Sequence, residues 1–271
     1  AFYGVAIGIT QSRPKLVLAY SSVSQMGFLV AVIGMGLAAG DADTPLAASF
    51  YAAHHLLVKG ALFLAVGVIA TTGRRWLWPM LLPAAILALG IGGLPLTGGA
   101  LAKLAVKPVL GDGWVELLAI LSAIGTTLLM LHFLHRLLVS ASPDPSMSAP
   151  VGWVLSWMFM FVAALVAPWM LYSATGIGTW SDALQPAILC AASWPILIGA
   201  GLALGLWRWG RYLPRVPEGD VVVVGQPVMR VVVRCAEALE RVEGVLRQWP
   251  VAGLSLLMLI LILGGVMFHG H

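Results

Sequence analysis

Two titratable side chains stand one helical turn apart inside one of the most apolar stretches of this 271-residue chain. Residues 54–64 read HHLLVKGALFL, where His55 precedes Lys59 by four positions. In a helix this spacing places both side chains on one face. They could pass a proton between them, because histidine titrates near neutrality and a buried lysine loses its proton more easily than a solvated one. His54 points about a quarter-turn away, so it is equally a relay candidate or a histidine hydrogen-bonded to a neighbouring helix.

The composition places these side chains in an integral membrane protein. Sixty per cent of the residues are hydrophobic, a tenth are charged, and the mean hydropathy is +0.96, far above the range of soluble globular domains. A spanning helix needs about 20 mostly apolar residues. Seven stretches of the chain meet this requirement: residues 16–40, 47–70, 78–110, 114–139, 151–172, 184–208 and 250–268. Since the alternating pattern of an outer-membrane barrel is absent, the sequence predicts an all-α, polytopic transmembrane helical bundle.

The third stretch, residues 78–110, contains a second chemical candidate, Lys103. It includes GIGGLPLTGG, in which five glycines and a proline interrupt the apolar run. Glycine is a weak helix former and proline removes a backbone donor, so we expect a discontinuous helix whose break is buried or lines water. Transporters build ion sites where an ionisable side chain lies beside such a break. The alternative is a packing kink with a snorkelling lysine, which is the favoured interpretation of Lys107, near the end of the span.

The charged residues of the connections divide between the two faces of this bundle. If the connections alternate, one face carries Arg13, Arg74, Arg75, Arg136, Arg208, Arg211 and Arg215, and the other carries Asp41, Asp43, Asp112 and Asp182. This bias indicates a bacterial inner-membrane protein with cytoplasmic arginine-rich loops, provided that residues 78–110 cross once. The net charge of +4 then follows from topology and requires no nucleic-acid partner.

Other polar side chains within the spans widen the set of candidates. Ser24 and Gln25 lie near the cytoplasmic end of the first span, where they could hold water beside the lysines or form interhelical hydrogen bonds, with equal weight. His132 and His135 lie three apart at the cytoplasmic end of their span and could mark a route to the cytoplasm, although interfacial histidines are often incidental. Glu116 opens the same span at the outer face and is interpreted as a solvated helix-end carboxylate.

Two segments differ from the spans. Residues 226–248 place arginines and glutamates on one side at helical spacing and mostly valine and alanine on the other, which predicts a cytoplasmic interfacial amphipathic helix that acts as a strap or docking surface. Residues 1–10, AFYGVAIGIT, lack the charged n-region and cleavage site of a signal peptide. We interpret them as half a helix, completed by an amino-terminal part that is absent or by a partner chain.

Three motifs, LVLAYSSVSQMGFL, AAHHLLVKGALFLAVG and GIGGLPLTGGALAK, together carry a resemblance. In this order and spacing they resemble the proton-conducting, antiporter-like subunits shared by respiratory complex I, multisubunit cation/proton antiporters and membrane-bound hydrogenases. That family has two inverted five-helix repeats, each with a broken helix and half a proton path. The resemblance implies that residues 1–140 are the second repeat and residues 141–271 the carboxy-terminal helices. It also implies that His55 and Lys59 belong to the family's central hydrophilic axis, and that Lys103 is the lysine beyond the second break.

The chain departs from the family pattern at several points. Tyr51 stands where the family often has another histidine, and Arg13 stands where it often has an acidic residue. The first repeat is missing, and with it the glutamate and lysine pair thought to drive the neighbouring relay. The 23 residues from 226 to 248 would form a helix of only about 35 Å, so the long lateral helix of the largest complex I subunit is also missing.

The leading hypothesis is therefore transport of protons, alone or in exchange for sodium, as one subunit of a larger membrane complex. Lys59, His55 and Lys103 form the predicted relay. Further candidates for the relay are His54, Lys107, Ser24, Gln25, His132 and His135. The expected partners are other membrane subunits, including a chain that supplies the first repeat. Two alternatives are a structural membrane anchor for catalytic partners and an ion-coupled subunit of inorganic-carbon uptake.

The sequence assigns no cofactor to the chain itself. It contains no nucleotide, flavin, haem or iron–sulfur motif, so within a redox-driven pump the redox centres would belong to partners. Cys190 lies in a span and Cys235 in a soluble-looking stretch, and this pair predicts neither a disulfide nor a metal site.

Overall fold

The computed structural model describes residues 1–210, Val216, and eight isolated positions between 233 and 258. Residues 1–216 form one compact unit. The predicted amphipathic helix at 226–248 and the predicted span at 250–268 lie outside the described residues, apart from those isolated positions.

Nine helices follow one another in residues 1–210, and no strand lies between them. They are α1 (Phe2–Gly8), α2 (Pro14–Ala39), α3 (Thr44–Ala70), α4 (Leu77–Gly92), α5 (Gly98–Leu110), α6 (Trp114–Val139), α7 (Val151–Ala174), α8 (Trp180–Ala183) and α9 (Pro186–Trp209). Among the described residues, five of these helices are long and apolar enough to cross a membrane: α2, α3, α6, α7 and α9. The predicted all-α, polytopic bundle is confirmed.

The predicted discontinuous helix is present as α4 and α5. At 1.5 Å per residue the two half-helices are about 24 Å and about 20 Å long, and both are shorter than a hydrocarbon core of about 30 Å. The first ends at Gly92 and is capped by Gly93, whose φ of 99° lies in the left-handed region that ends many helices. The second begins after Thr97. The five residues between them therefore interrupt a single span in its middle.

Hydrogen bonds between loops define one end of the bundle. The guanidinium of Arg136, near the end of α6, donates to the carbonyl of Ser12, just before α2, at 2.7 Å. The amide of Gly73, just after α3, donates to the carbonyl of Met147, between α6 and α7, at 2.8 Å. We call this the arginine end. The turns after α2 and after α5, which carry Asp41 and Asp112, lie at the other termini of these helices and form the aspartate end.

The α3 helix runs through two apolar clusters. Near the arginine end it contributes Val58 and Leu62 to a cluster with parts of α2, α4, α6 and α7. Nearer the aspartate end it contributes Phe50 and Tyr51 to a cluster with α5. Between the two, on α3, lie residues 54 and 55, the pair of histidines. The most polar part of the helix is therefore placed at the centre of the bundle.

Candidate functional site

Lys59 lies inside the bundle, with only 5% of its surface exposed. Its Nζ donates a 2.9 Å hydrogen bond to the carbonyl of Leu18 in α2. The same carbonyl accepts a bond from the Ser22 hydroxyl at 3.2 Å. The ammonium is thus held against the backbone of a continuous neighbouring helix. This contact stabilises a charge that would cost about 2.5–3.5 kcal/mol or more at the centre of a lipid-facing helix.

Lys103 occupies a different environment, at the break. Its Nζ donates to the carbonyl of Gly92, the last residue of α4. The last carbonyls of a helix have no intrahelical donor and carry the negative end of its dipole. Backbone donors supply two of them, since Gly93 bonds to Gly90 and Leu94 bonds to Leu89. The lysine supplies a third partner and acts as a cationic cap for the first half-helix.

The glycines of the break permit this close arrangement. A Cβ at Gly99 would overlap the carbonyl of Gly90, and a Cβ at Gly93 would lie 3.0 Å from the Nζ of Lys103. Leu96 has a positive φ of 65°, which is unfavourable for a residue with a branched apolar side chain. The chain is therefore compressed where the two half-helices meet, and this brings the start of α5 against the end of α4.

A row of hydrogen bonds joins three helices beside the break. The Tyr51 hydroxyl of α3 donates to the side-chain carbonyl of Gln25 in α2. The amide nitrogen of Gln25 donates to the Thr126 hydroxyl of α6 at 2.8 Å, and that hydroxyl donates to the carbonyl of Ser122 at 2.7 Å. All four residues are buried. We call Tyr51, Gln25, Thr126 and Ser122 the polar row.

The polar row and the titratable residues meet at a small cavity. Its volume is about 10 Å³, on the order of what one water molecule requires. Its walls include His54, His55 and Lys103 together with Gln25 and Tyr51. The structure thus brings three of the predicted titratable residues and one predicted polar residue together at one place. Lys59 does not line this cavity but stands one helical turn from His55, on the same helix.

His54 lines this cavity and packs against the break. It is 7% exposed, and neither ring nitrogen has a hydrogen-bond partner among the described residues. A Cβ at Gly98 would lie 2.8 Å from Nδ1, and a Cβ at Gly99 would lie 3.3 Å from Nε2, so the ring packs against the first turn of α5. A buried polar side chain without partners is unusual in a folded protein and calls for an explanation.

Comparison with known proteins addresses the region that contains this site. Residues 1–129 match the family described as NADH:quinone oxidoreductase/Mrp antiporter, TM. Over these residues the chain is similar to the proton-conducting, antiporter-like membrane subunits. Within residues 1–129, which we call the antiporter-like region, lie both lysines, both histidines of the cavity and the whole polar row.

Individual relatives come from both branches of the family. The chain is 32% identical over 124 residues to a protein of Staphylococcus saprophyticus named as antiporter subunit mnhA2, and 31% identical over 122 residues to its namesake in Staphylococcus aureus. Each alignment covers 37% of this chain and 15% of the relative. It is 29% identical over 140 residues to NADH-quinone oxidoreductase subunit N 1 of Symbiobacterium thermophilum, covering 45% of this chain and 27% of that protein. The alignments therefore span only a small part of each antiporter-like relative.

The remaining predicted residues lie away from the small cavity. His132, at the arginine end, has its Nε2 2.9 Å from the Gln11 carbonyl, and the His135 ring stacks on Trp207 with centroids 5.4 Å apart. Both histidines lie beyond residue 129, outside the antiporter-like region. Ser24 is buried, and its hydroxyl has no partner among the described residues.

Lys107 and Glu116 form an ion pair, and both side chains are partly exposed. The Lys107 Nζ lies 3.5 Å from a Glu116 carboxylate oxygen, with 61% and 34% of the two side chains exposed. Glu116 was predicted to be a solvated helix-end carboxylate; it lies in the first turn of α6, paired with the lysine of α5.

Sequence reasoning missed three members of the polar row. Tyr51 entered only as a departure from the family pattern, while Thr126 and Ser122 were not singled out at all. Thr126 lies in the mostly apolar middle of α6, and its hydroxyl meets Gln25 only because α2 and α6 pack together. One available signal was the four-residue spacing of Tyr51 and His55, which places a third polar side chain on the relay face of α3.

Proposed function

We propose that this chain carries protons across a bacterial inner membrane as one subunit of a larger complex. Lys59, His55 and Lys103 form the relay, and His54 and the polar row complete its polar surroundings. The observation that carries the proposal is the small cavity, where His54, His55 and Lys103 meet in the middle of the bundle. The relatives named as antiporter and quinone oxidoreductase subunits support transport within a multisubunit assembly.

The geometry suggests an order of transfer. Lys59 exchanges a proton with His55 one turn away on α3, and His55 faces the small cavity. A water molecule there connects it to Lys103 on α5. Protonated Lys103 is stabilised by the terminal carbonyl of α4, and this stabilisation weakens when the amine becomes neutral. The membrane potential acts on each moving charge with about 2.3 kcal/mol per 100 mV, enough to bias such steps.

We further propose the placement of the chain within its complex. Residues 1–140 correspond to the second repeat and residues 141–271 to the carboxy-terminal helices, a division supported by the end of the family match at residue 129. The arginine end faces the cytoplasm. The first repeat is supplied by a neighbouring membrane subunit or by a further part of the protein. Replacing sodium with another cation in the vesicle assay described below tests whether sodium is exchanged for the proton.

The test is proton flux in membrane vesicles that contain the intact complex. Lys103→Ala removes the amine and its contact with α4, so we expect flux to fall by at least about a hundredfold, within the usual range for a positioned proton carrier. Lys15→Ala is the matched control, because that lysine is exposed at the start of α2. Native gel electrophoresis verifies that both variants assemble. Unaltered flux in an assembled Lys103→Ala complex would contradict the proposal.

A further inference from the structure

A second and larger cavity opens beside Lys103 and extends towards the aspartate end. Its volume is about 250 Å³, enough for several water molecules. The half-helix α5 and the first half of α6 form two of its walls. Gln25, Tyr51 and Lys103 line both cavities, so the large one begins where the small one ends.

The outer part of this cavity contains the Lys107–Glu116 ion pair. Lys107 follows Lys103 by four positions, so the two amines lie on the same face of α5 about 6 Å apart along its axis. Glu116 reaches across from α6. Exposed ion pairs contribute little to folding stability, which means that this pair can separate at low cost.

Between its two charged ends the cavity is mostly apolar. Its walls there include Phe28, Leu104, Ile120 and Trp194. Apolar constrictions in channels gate by filling with water and emptying again. A cavity with an amine at the inner end, an ion pair at the outer end and apolar walls between them has the construction of a gated water path.

The third wall comes from a helix outside the antiporter-like region. Ala191 and Pro195 of α9 both line the cavity. Pro195 lacks the N–H that would bond to the carbonyl of Ala191 within the helix, so a backbone acceptor is left over in this wall. The α9 helix lies beyond residue 129, and the cavity is therefore completed by a part of the chain that the family match does not cover.

We propose that the Lys107–Glu116 pair is the gate of this cavity, which leads from the aspartate end to Lys103. The inference rests on the proposed function and adds to it the two residues that control entry. With the pair closed, the two charges neutralise each other at the mouth. When Lys107 turns outward, the Glu116 carboxylate faces the cavity, takes a proton from outer water and passes it through the water file to the Lys103 amine.

The first test measures water in the cavity with the natural charges in place. Ala119→Cys on α6 places a thiol on the cavity wall, whereas Leu118→Cys places one on the same helix at an exposed site outside the cavity. Both are built with Cys190 and Cys235 replaced by serine. A membrane-impermeant thiol reagent reacts through the thiolate, which forms in water and not in lipid. We expect position 119 to react at least about tenfold faster than position 118 in vesicles whose aspartate end faces the reagent, and the reaction to block flux.

The second test exchanges the charges of the gate. Lys107→Glu places two carboxylates at the mouth, and we expect it to lower flux by about tenfold, less than the loss of about a hundredfold or more expected when a positioned proton carrier is removed. The double variant Lys107→Glu/Glu116→Lys restores the pair and should recover most of the flux. Asp112→Asn is the matched control, since it removes a carboxylate from the same turn without lining the cavity, and it should leave flux unchanged.

The outcomes separate this inference from the proposed function. Normal flux in Lys103→Ala would overturn the proposed function and this inference with it. If Lys103→Ala abolishes flux but thiols at 119 and 118 react equally slowly, the proposed relay stands and the access route is wrong. Equal flux in the parent, Lys107→Glu and the double variant would remove the gate alone. If the charge variants do not assemble, the isosteric variant Glu116→Gln takes their place: it removes the carboxylate of the pair, so we expect lower flux, and unchanged flux would remove the gate.

Discussion

The broken helix α4–α5 and the continuous helix α3 each hold a lysine in the interior of the bundle, but they hold it differently. Lys59 of α3 is 5% exposed and bonds to a carbonyl in the body of α2. Lys103 of α5 is half-buried, bonds to the last carbonyl of α4 and borders two cavities. Under the proposed function, Lys59 is therefore suited to retaining a proton, because packed, continuous helices surround it. Lys103 is suited to exchanging one, because it lies at a helix end beside water-sized space.

The largest expected effect comes from closing the break. Gly99→Ala forces a Cβ into the carbonyl of Gly90, so we expect a loss of at least about 3 kcal/mol in the free energy of unfolding, together with loss of proton flux. Gly67→Ala in α3 is the matched change in a continuous helix, where a Cβ meets nothing within 4 Å. That variant should gain about 0.5–1 kcal/mol. Thermal unfolding in detergent compares the two, and equal melting temperatures would remove the structural distinction between the helices.

The second comparison replaces the lysines themselves with methionine, which has a similar length and no charge. Lys59→Met should abolish relay flux yet stabilise the fold, because an apolar residue replaces an amine whose burial is costly. Lys103→Met should abolish flux with a smaller change in stability, since that side chain is half-buried and its loss also removes a helix cap. Flux and melting temperature are measured on the same preparations. A larger gain in melting temperature for Lys103→Met would indicate that Lys103, and not Lys59, is the lysine suited to retaining a proton.

A third prediction concerns the polar row between the two helices. Thr126→Val leaves the amide of Gln25 without its partner and should cost about 1–3 kcal/mol, with a severalfold loss of flux. Thr127→Val is the neighbouring control, because that hydroxyl bonds to the Ala123 carbonyl of its own helix. We expect this control to cost less than Thr126→Val, because the hydroxyl that it removes bonds within its own helix and its loss leaves no donor of another helix without a partner. If both valine variants behave alike, the row contributes nothing beyond ordinary packing.

The smallest expected effect tests strain at the break. Leu96→Gly relieves the unfavourable positive φ, and after the entropic cost of glycine we expect a net gain of about 1 kcal/mol. Leu96→Ala retains the strain while removing most of the side chain, and so it separates the two contributions. Denaturant titration measures both variants. A gain for alanine equal to that for glycine would show that the exposed leucine, and not its backbone, is unfavourable.

Some of this arrangement follows directly from the sequence. The break was predictable because five glycines and a proline in a short apolar stretch leave a helix few favourable contacts. The positions of the two lysines relative to the break follow from the same residues. The short helix α8 was not predicted, although Thr179 and Asp182 have the spacing of a helix-capping pair, and the Thr179 hydroxyl accepts a bond from the Asp182 amide at 3.3 Å.

Other features depend on packing between helices, which a single sequence does not specify. The bond from Gln25 to Thr126 joins residues 101 positions apart. The pairing of Lys107 with Glu116 requires the turn at Gly111, whose φ of 63° lies in the left-handed region. The third wall of the larger cavity, formed by α9, could not be predicted. An apolar helix with small residues has the same sequence character whether it faces lipid or a cavity.

The two apolar clusters on α3 impose a constraint on its length. Tyr51 belongs to one cluster and Val58 to the other, and their separation of seven positions corresponds to nearly two complete turns. Removing or adding one residue there would rotate one cluster by about 100° relative to the other. An insertion or deletion in this part of α3 is therefore expected to disrupt one of the two apolar clusters, whereas a substitution of either histidine leaves both clusters in register.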